Sequence, residues 1–465
     1  MPPENNNFGG GVGETVLGTG VLILMLVVIG IVLLAPRKYI ISALLAGLIL
    51  LPVGETLVIG GVHVFVTRIL VLTGILRAVI SRPNEKYLLA GKFNIIDKIF
   101  LVGAIYRAVA FVLTFQVTGA VVTEFGYLWD TLGGYFLMRM LIRKDADILR
   151  VIKTLAVIVS FLGVTMLYEH QTRVNLFGFI AGHTIIPEVR SGGVRAQGPF
   201  HHAILAGVFS ATIWPLILWL FTSGKAKILA VAGLMGSTLA VFSAGSSTTV
   251  SAYLAGFVAI CFWPIRKSMR IIRWGLVLSI LTLHLSMHAP VWWSLEHIDL
   301  AGGSAGEHRA ELIDNLVRHF SDWWLIGTKD NANWGFEMWD KSNQFIDEAE
   351  TGGLVPFICL IAIITLAFKR LGKSRKRVQG DLRQEWYFWI LGSALFCHVV
   401  AFFGISYFDQ TRFSWHALLA ILIVATAPGF ARTAPEGSHA PVLVDSTTGG
   451  SAVAEGLLAG GKNWE

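Results

Sequence analysis

Charge is scarce in this sequence. Asp, Glu, Lys and Arg make up 14% of its 465 residues, where soluble proteins carry roughly a quarter. A chain this poor in charge cannot clothe the surfaces of two or three soluble domains. Nor can it be disordered, which requires low hydropathy and high net charge. Cysteine is scarcer still. Cys261, Cys359 and Cys397 fall inside apolar runs, lack metal-ligand spacing and are odd in number, so no disulfide framework follows. They read as small buried hydrophobes. The excess of base is modest, 37 Lys and Arg against 30 Asp and Glu for a net +7. Membrane topology explains it better than a nucleic-acid partner does, and none is expected.

Apolar residues are what the chain has in plenty. They make up 54% of it, and its mean hydropathy is +0.65. Apolar runs of about 20 residues, enough to cross a bilayer, recur throughout. The expected fold is an all-α polytopic membrane protein with about 11–13 transmembrane helices and a large extracytoplasmic helical loop. Thirteen spans are placed at roughly 15–35, 39–59, 62–81, 94–115, 118–138, 149–169, 200–222, 227–244, 249–265, 274–291, 352–368, 386–405 and 413–431. The second and third contain Glu55 and Arg68, so a re-entrant or half-buried pair is an alternative there. Residues 1–14 form an extracytoplasmic N-terminus. The transmembrane domain covers 15–431, with outer loops at 170–199 and 292–351. The Gly-, Ser-, Ala- and Pro-rich segment 432–465 is expected to be a disordered cytoplasmic tail. The first apolar run lacks a basic flank, so no cleavable signal peptide is expected.

Lysine and arginine set the orientation. Six alternate loops hold 24 of the 37, the densest run extending from Lys369 to Arg383. The opposite loops hold eight: Arg173, Arg190, Arg195, Arg309, Arg318, Lys329, Lys341 and Arg412. The first side is expected to be cytoplasmic, with the N-terminus outside and the C-terminus inside.

Both long loops fall on the outer side, and long loops among short ones carry function. The second holds twelve acidic residues against four basic ones, and six of the fifteen tryptophans. Within it, GEHRAELIDNLVRHF repeats apolar residues at helical spacing (Leu312, Ile313, Leu316, Val317, Phe320), which predicts an amphipathic helix near the membrane surface. Aromatic rings beside carboxylates suit a sugar, whose apolar face packs on the ring while acids accept its hydroxyl protons. The plainer reading of the tryptophans is an interfacial belt. Trp334 and Trp339 are the candidates for sugar contact.

Three stretches in a fixed order resemble a known group. Arg–x–x–Gly–x–Phe precedes a span in RAQGPFHHAILAG (Arg195–Gly207). An Arg heads a helix in HRAELIDNL (His308–Leu316). Asn, an aromatic two residues on, then Gly and a span follow in SNQFIDEAETGGLVPF (Ser342–Phe357). The pattern is similar to the O-antigen ligase and polymerase superfamily of bacterial envelope glycosyltransferases. The resemblance implies transfer of a saccharide from an undecaprenyl-pyrophosphate carrier to a saccharide acceptor, at the outer face of the bacterial inner membrane. It implies no nucleotide sugar, no metal and no cofactor. The lipid bilayer and other polysaccharide-assembly proteins are the further partners. The family's two loop arginines fall on Arg195 and Arg309. Ligases carry a His immediately before the Asn, where this chain has Ser342, and this favours the polymerase branch. Many relatives also carry an Arg after the Ser in the stretch matching SAGSSTTVSAY (Ser243–Tyr253), and here there is none.

The chemistry asks for the same residue types. Cleaving a sugar C1–pyrophosphate bond releases a polyanion. Two guanidinium forks can hold its oxygens and stabilise charge that grows in the transition state. Arg195 lies at headgroup depth before a span, and the loop can fold Arg309 over it. An ion pair or a lipid headgroup is the plainer role for each, and Arg190 is a weaker candidate. The acceptor hydroxyl needs a base. Glu307, His308, Asp340, Asp347, Glu348 and Glu350 are in range by sequence, with Asp340 and Glu350 preferred as catalytic groups. His201, His202, His308 and Asn343 are assigned to substrate binding. The expected function is a polysaccharide polymerase. The alternatives are an O-antigen ligase and a flippase or transporter of lipid-linked saccharide. The last draws on ionisable residues inside spans: Glu55, Arg68, Asp97, Arg107, Glu124, Asp130 and Glu169.

Overall fold

The computed structural model describes residues 15–59, 62–81, 88–190, 192–297 and 305–427. The expected outer N-terminus (1–14) and tail (432–465) lie outside the described residues. In lipid a backbone must bond within its own segment, and long apolar runs accordingly fold as helices. In chain order the helices are α1 (Thr19–Leu34), α2 (Arg37–Leu50), α3 (Val66–Ile80), α4 (Ile95–Phe115), α5 (Thr118–Leu128), α6 (Gly134–Leu141), α7 (Asp145–Thr172), α8 (Phe177–Ala181), α9 (Ala203–Thr222), α10 (Lys227–Ala244) and α11 (Ser247–Cys261). There follow α12 (Met269–Ser286), α13 (Ala305–Arg318), α14 (Phe320–Trp323), α15 (Gln344–Gly352), α16 (Leu354–Arg377), α17 (Leu382–Phe402) and α18 (Thr411–Ala425).

Among the described residues seven helices are long and apolar enough to cross a bilayer: α4, α7, α9, α10, α12 with the turn before it, α16 and α17. Three shorter apolar helices, α1, α11 and α18, accompany them. The chain is therefore a largely helical, multi-spanning membrane protein. Helices α9 and α18 are buried on nearly every face, as helices apolar all round should be, and they touch each other. Helices α7 and α10 cross most closely. A Cβ on Gly163 would strike the backbone of Gly236, and one on Gly236 would strike that of Val159 and Ser160. Small residues at such crossings let backbones meet.

The second and third expected spans are corrected. Helix α2 has 14 residues and α3 has 15. At about 1.5 Å per residue neither reaches across roughly 30 Å of hydrocarbon. Between them stands an antiparallel hairpin, β1 (Thr56–Ile59) and β2 (Val62–Phe65), with Thr56 opposite Phe65. Pro52 disfavours helix in the residue before it, and Gly54 turns at φ +96°. The β-branched alternation of TLVI and VHVF then suits strands better than helix.

The span expected at 118–138 is helical but not uniform. One π-helical turn, Trp129–Gly133, separates α5 from α6. Such widened turns are rare and collect at functional sites.

The outer loop has its own small core. Leu312 and Leu316 of α13 are buried with Trp323, Met338, Ile346 and Ala349, while Val317 and Phe320 stay exposed. The expected apolar stripe is thus divided. Its first part packs on the loop and the rest faces outward.

Several ionisable residues inside the bundle are structural. Asp97 and Arg139 form a fully buried pair at 2.9 Å, and the Tyr135 hydroxyl donates to the same carboxylate at 2.6 Å. Glu169 accepts from Asn175, Gln197 and Gly198, pinning the loop before α9. Glu55 accepts from the Gly18 amide at 2.7 Å, tying the hairpin to the start of α1.

Candidate functional site

Two stretches of loop meet the junction of α10 and α11. The first is a second hairpin, β3 (Glu188–Arg190) and β4 (Gly193–Arg195), with Glu188 opposite Arg195. In that register Arg195 Nη1 donates to Glu188 Oε1 at 2.6 Å. Arg195 is only 4% exposed. Its Nε donates to the carbonyl of Ala244 at 3.2 Å, and the next amide, Ala196 N–H, bonds to the carbonyl of Ser243. Ala244 ends α10, and Gly245 caps it at φ +53°. A Cβ at Gly245 would stand 3.4 Å from Arg195 Cγ. Glycine therefore serves both the left-handed cap and the close passage of the arginine.

Thr248, in the first turn of α11, accepts a hydrogen bond from Arg309 Nη2 at 2.7 Å. Arg309 reaches it because the loop core fixes α13. Two arginines from different loops thus settle on one elbow, residues 244–248. Burial lowers the Arg195 pKa, with Glu188 acting against it and Arg190 with it. An arginine starts so high that it remains a cation. Glu188 occupies part of the Arg195 fork much as a phosphate oxygen would, yet its own side chain is 39% exposed and open to displacement. Arg190 sits exposed on the hairpin.

His201 and His202 precede α9. Their rings lie 4.5 Å apart, nearly perpendicular, against Phe408. Burial and then His201 hold the His202 pKa below its ordinary value; the charges of Glu188, Arg195 and Asp340 also reach it. His202 is therefore neutral near pH 7 and able to accept a proton. Asp340 Oδ1 accepts from the Ser342 hydroxyl at 2.6 Å, and its carbonyl lies 3.3 Å from His308 Nε2. Arg195, His202 and Asp340 thus share one electrostatic neighbourhood, and Arg309 shares the elbow with Arg195.

Other expected site residues hold the loop itself. Glu350 is 1% exposed, accepts from Asn331 at 2.9 Å and pairs with Lys341 at 3.5 Å. Burial raises its pKa and Lys341 opposes the rise. The Asn343 side chain is the N-cap of α15, accepting from the amides of Phe345 and Ile346. Trp334 lies flat on His319, 4.8 Å between ring centres. Trp339 is 75% exposed.

Sequence reasoning missed Glu188 and Thr248. The strand–turn–strand pattern EVRSGGVR was the available signal for Glu188. A threonine in an apolar helix has none. Among the described residues no group of three or more His, Cys, Asp or Glu is placed to hold a metal ion. A comparison with protein-family profiles finds no match, and a comparison with curated proteins finds none either.

Proposed function

We propose that the chain is a glycosyltransferase of the bacterial inner membrane. It joins undecaprenyl-pyrophosphate-linked saccharides at the outer face, as a polysaccharide polymerase. The observation that carries this reading is the arrival of Arg195 and Arg309 on one elbow, residues 244–248. The acceptor hydroxyl attacks sugar C1 as the C1–oxygen bond to pyrophosphate breaks. The guanidinium groups hold the departing pyrophosphate oxygens, with its displacement of Glu188 freeing the Arg195 fork. The hydroxyl proton passes to His202, and Asp340 stabilises the imidazolium that results.

The orientation inferred from lysine and arginine supports this reading, because it puts the elbow and both long loops outside. Ser342 stands where ligases have histidine and holds Asp340, which favours the polymerase over the ligase. A flippase is the second reading. It is favoured by a polar chamber inside the bundle that Arg68, Arg107, Glu124 and Asp130 help to line.

Polymer length on a gel tests the proposal, in cells lacking the protein and rescued with wild type, Arg195→Ala or Arg309→Ala. At equal membrane levels the alanine variants should accumulate single repeat units, with activity down about a hundredfold or more. Long polymer that fails to reach lipid A identifies a ligase. Full rescue by both variants removes the clamp and leaves the flippase.

A further inference from the structure

The polar chamber lies among the 51–55 turn, the head of α3, α4, α5 and the start of α18. Its volume is about 370 Å³, within the roughly 300–1,000 Å³ of small-molecule sites. Arg68 and Asp130 pair across it at 2.9 Å, Asp130 being carried on the π-helical turn. Arg107 projects from α4, 3.4 Å from Asp347, and its guanidinium stands 4.1 Å from the centre of the Tyr127 ring.

Four side-chain atoms on its lining residues make no hydrogen bond, one each on Glu55, Arg107, Thr123 and Glu124. Glu124 is 5% exposed, yet its Oε2 has no partner. Thr123 Oγ1 beside it also has none, whereas Nε of Arg107 and Oε1 of Glu55 stand 3.8 Å from Glu348 and His183. An unmade buried bond costs about 1–3 kcal/mol, and native proteins leave few. These atoms suit a ligand that both donates and accepts, since they comprise two carboxylate oxygens, a guanidinium donor and a hydroxyl that is both. A phosphate satisfies only the donors, a metal ion only the acceptors, and a lipid chain neither. A sugar hydroxyl donates to Glu124 and accepts from Arg107 with the same kind of group, and Phe65 and Phe111 offer apolar surface to the ring. Asp409 also lines the chamber, at φ +51°, and the charge of His201 reaches it.

We propose that this chamber is a saccharide-binding subsite, holding a hydroxyl-rich ring against Glu124, Thr123 and Arg107. That the ring belongs to a transfer substrate rests on the function proposed above; the binding does not.

Equilibrium dialysis of the purified full chain tests it, using radiolabelled trisaccharides of glucose, galactose, mannose and N-acetylglucosamine. At least one should bind saturably. Glu124→Leu should weaken it about tenfold or more, while Glu124→Gln, which keeps an acceptor oxygen, stays within a few-fold. Should Glu124→Leu fail to fold, Thr123→Val decides, with an expected loss of about threefold. No saturable binding of any of the four, or binding indifferent to these substitutions, overturns the subsite. Binding that survives while Arg195→Ala and Arg309→Ala support full-length polymer overturns the transferase and leaves the subsite standing.

Discussion

Arg195 is held in place by Glu188. Glu188 Oε1 lies 2.6 Å from its Nη1, a charge-assisted bond of a strength worth about 1.5–3 kcal/mol. On the proposed mechanism this carboxylate competes with the donor pyrophosphate. Glu188→Gln keeps the shape and removes the charge. It should lower the KM for the lipid-linked donor several-fold in a reconstituted polymerisation assay, with kcat little changed. A higher KM would mean that Glu188 positions Arg195 more than it competes for it. The buried Asp97–Arg139 pair has a different character. Nothing in the proposed reaction uses it, and it joins α4 to α6.

The helices show what local sequence can and cannot tell. Each expected span contains a helix because hydropathy over some twenty residues is a local property. The sequence leaves the α2–α3 region open between two full spans and a re-entrant pair, because its apolar run is long enough to hide strand alternation and the glycine pair Gly60–Gly61, a hairpin signal. The π-helical turn after α5 had no signature at all. The crossing of α7 and α10 was legible only as glycines in apolar runs, since their use depends on the partner helix. It also leaves no room for a side chain. Gly236→Leu would drive a side chain into the backbone of Val159 and Ser160. The expected loss is about 3 kcal/mol or more, read as a lower melting temperature in detergent. Gly30, with open space around it, should accept leucine with little change and serves as the control.

For the whole molecule, the polarity of Lys and Arg supplies the testable geometry. In a chain with its three cysteines replaced by serine, Phe336→Cys should react with a membrane-impermeant maleimide in intact spheroplasts. Gly372→Cys, inside the basic run, should react only after permeabilisation. The reverse pattern would place the elbow on the cytoplasmic face and remove the proposed function with it. The candidate site was legible in part. The arginines, His202 and Asp340 could be named because chemistry demands their side chains. Their meeting place could not, because the elbow offers a backbone carbonyl, a threonine hydroxyl and a glycine cap rather than any distinctive residue. Glu350, Asn343 and Trp334 show the converse. Their side chains suit catalysis or sugar contact, and tertiary packing engages each of them in holding the loop.

The split origin of the arginine pair has one more consequence. Arg195 is anchored to the bundle through Ala244, whereas Arg309 rides on a loop with a core of its own and touches the elbow through Thr248. The proposed grip on a pyrophosphate therefore depends on two separately anchored parts of the chain, and whatever shifts the outer loop against the bundle would separate the two guanidinium groups.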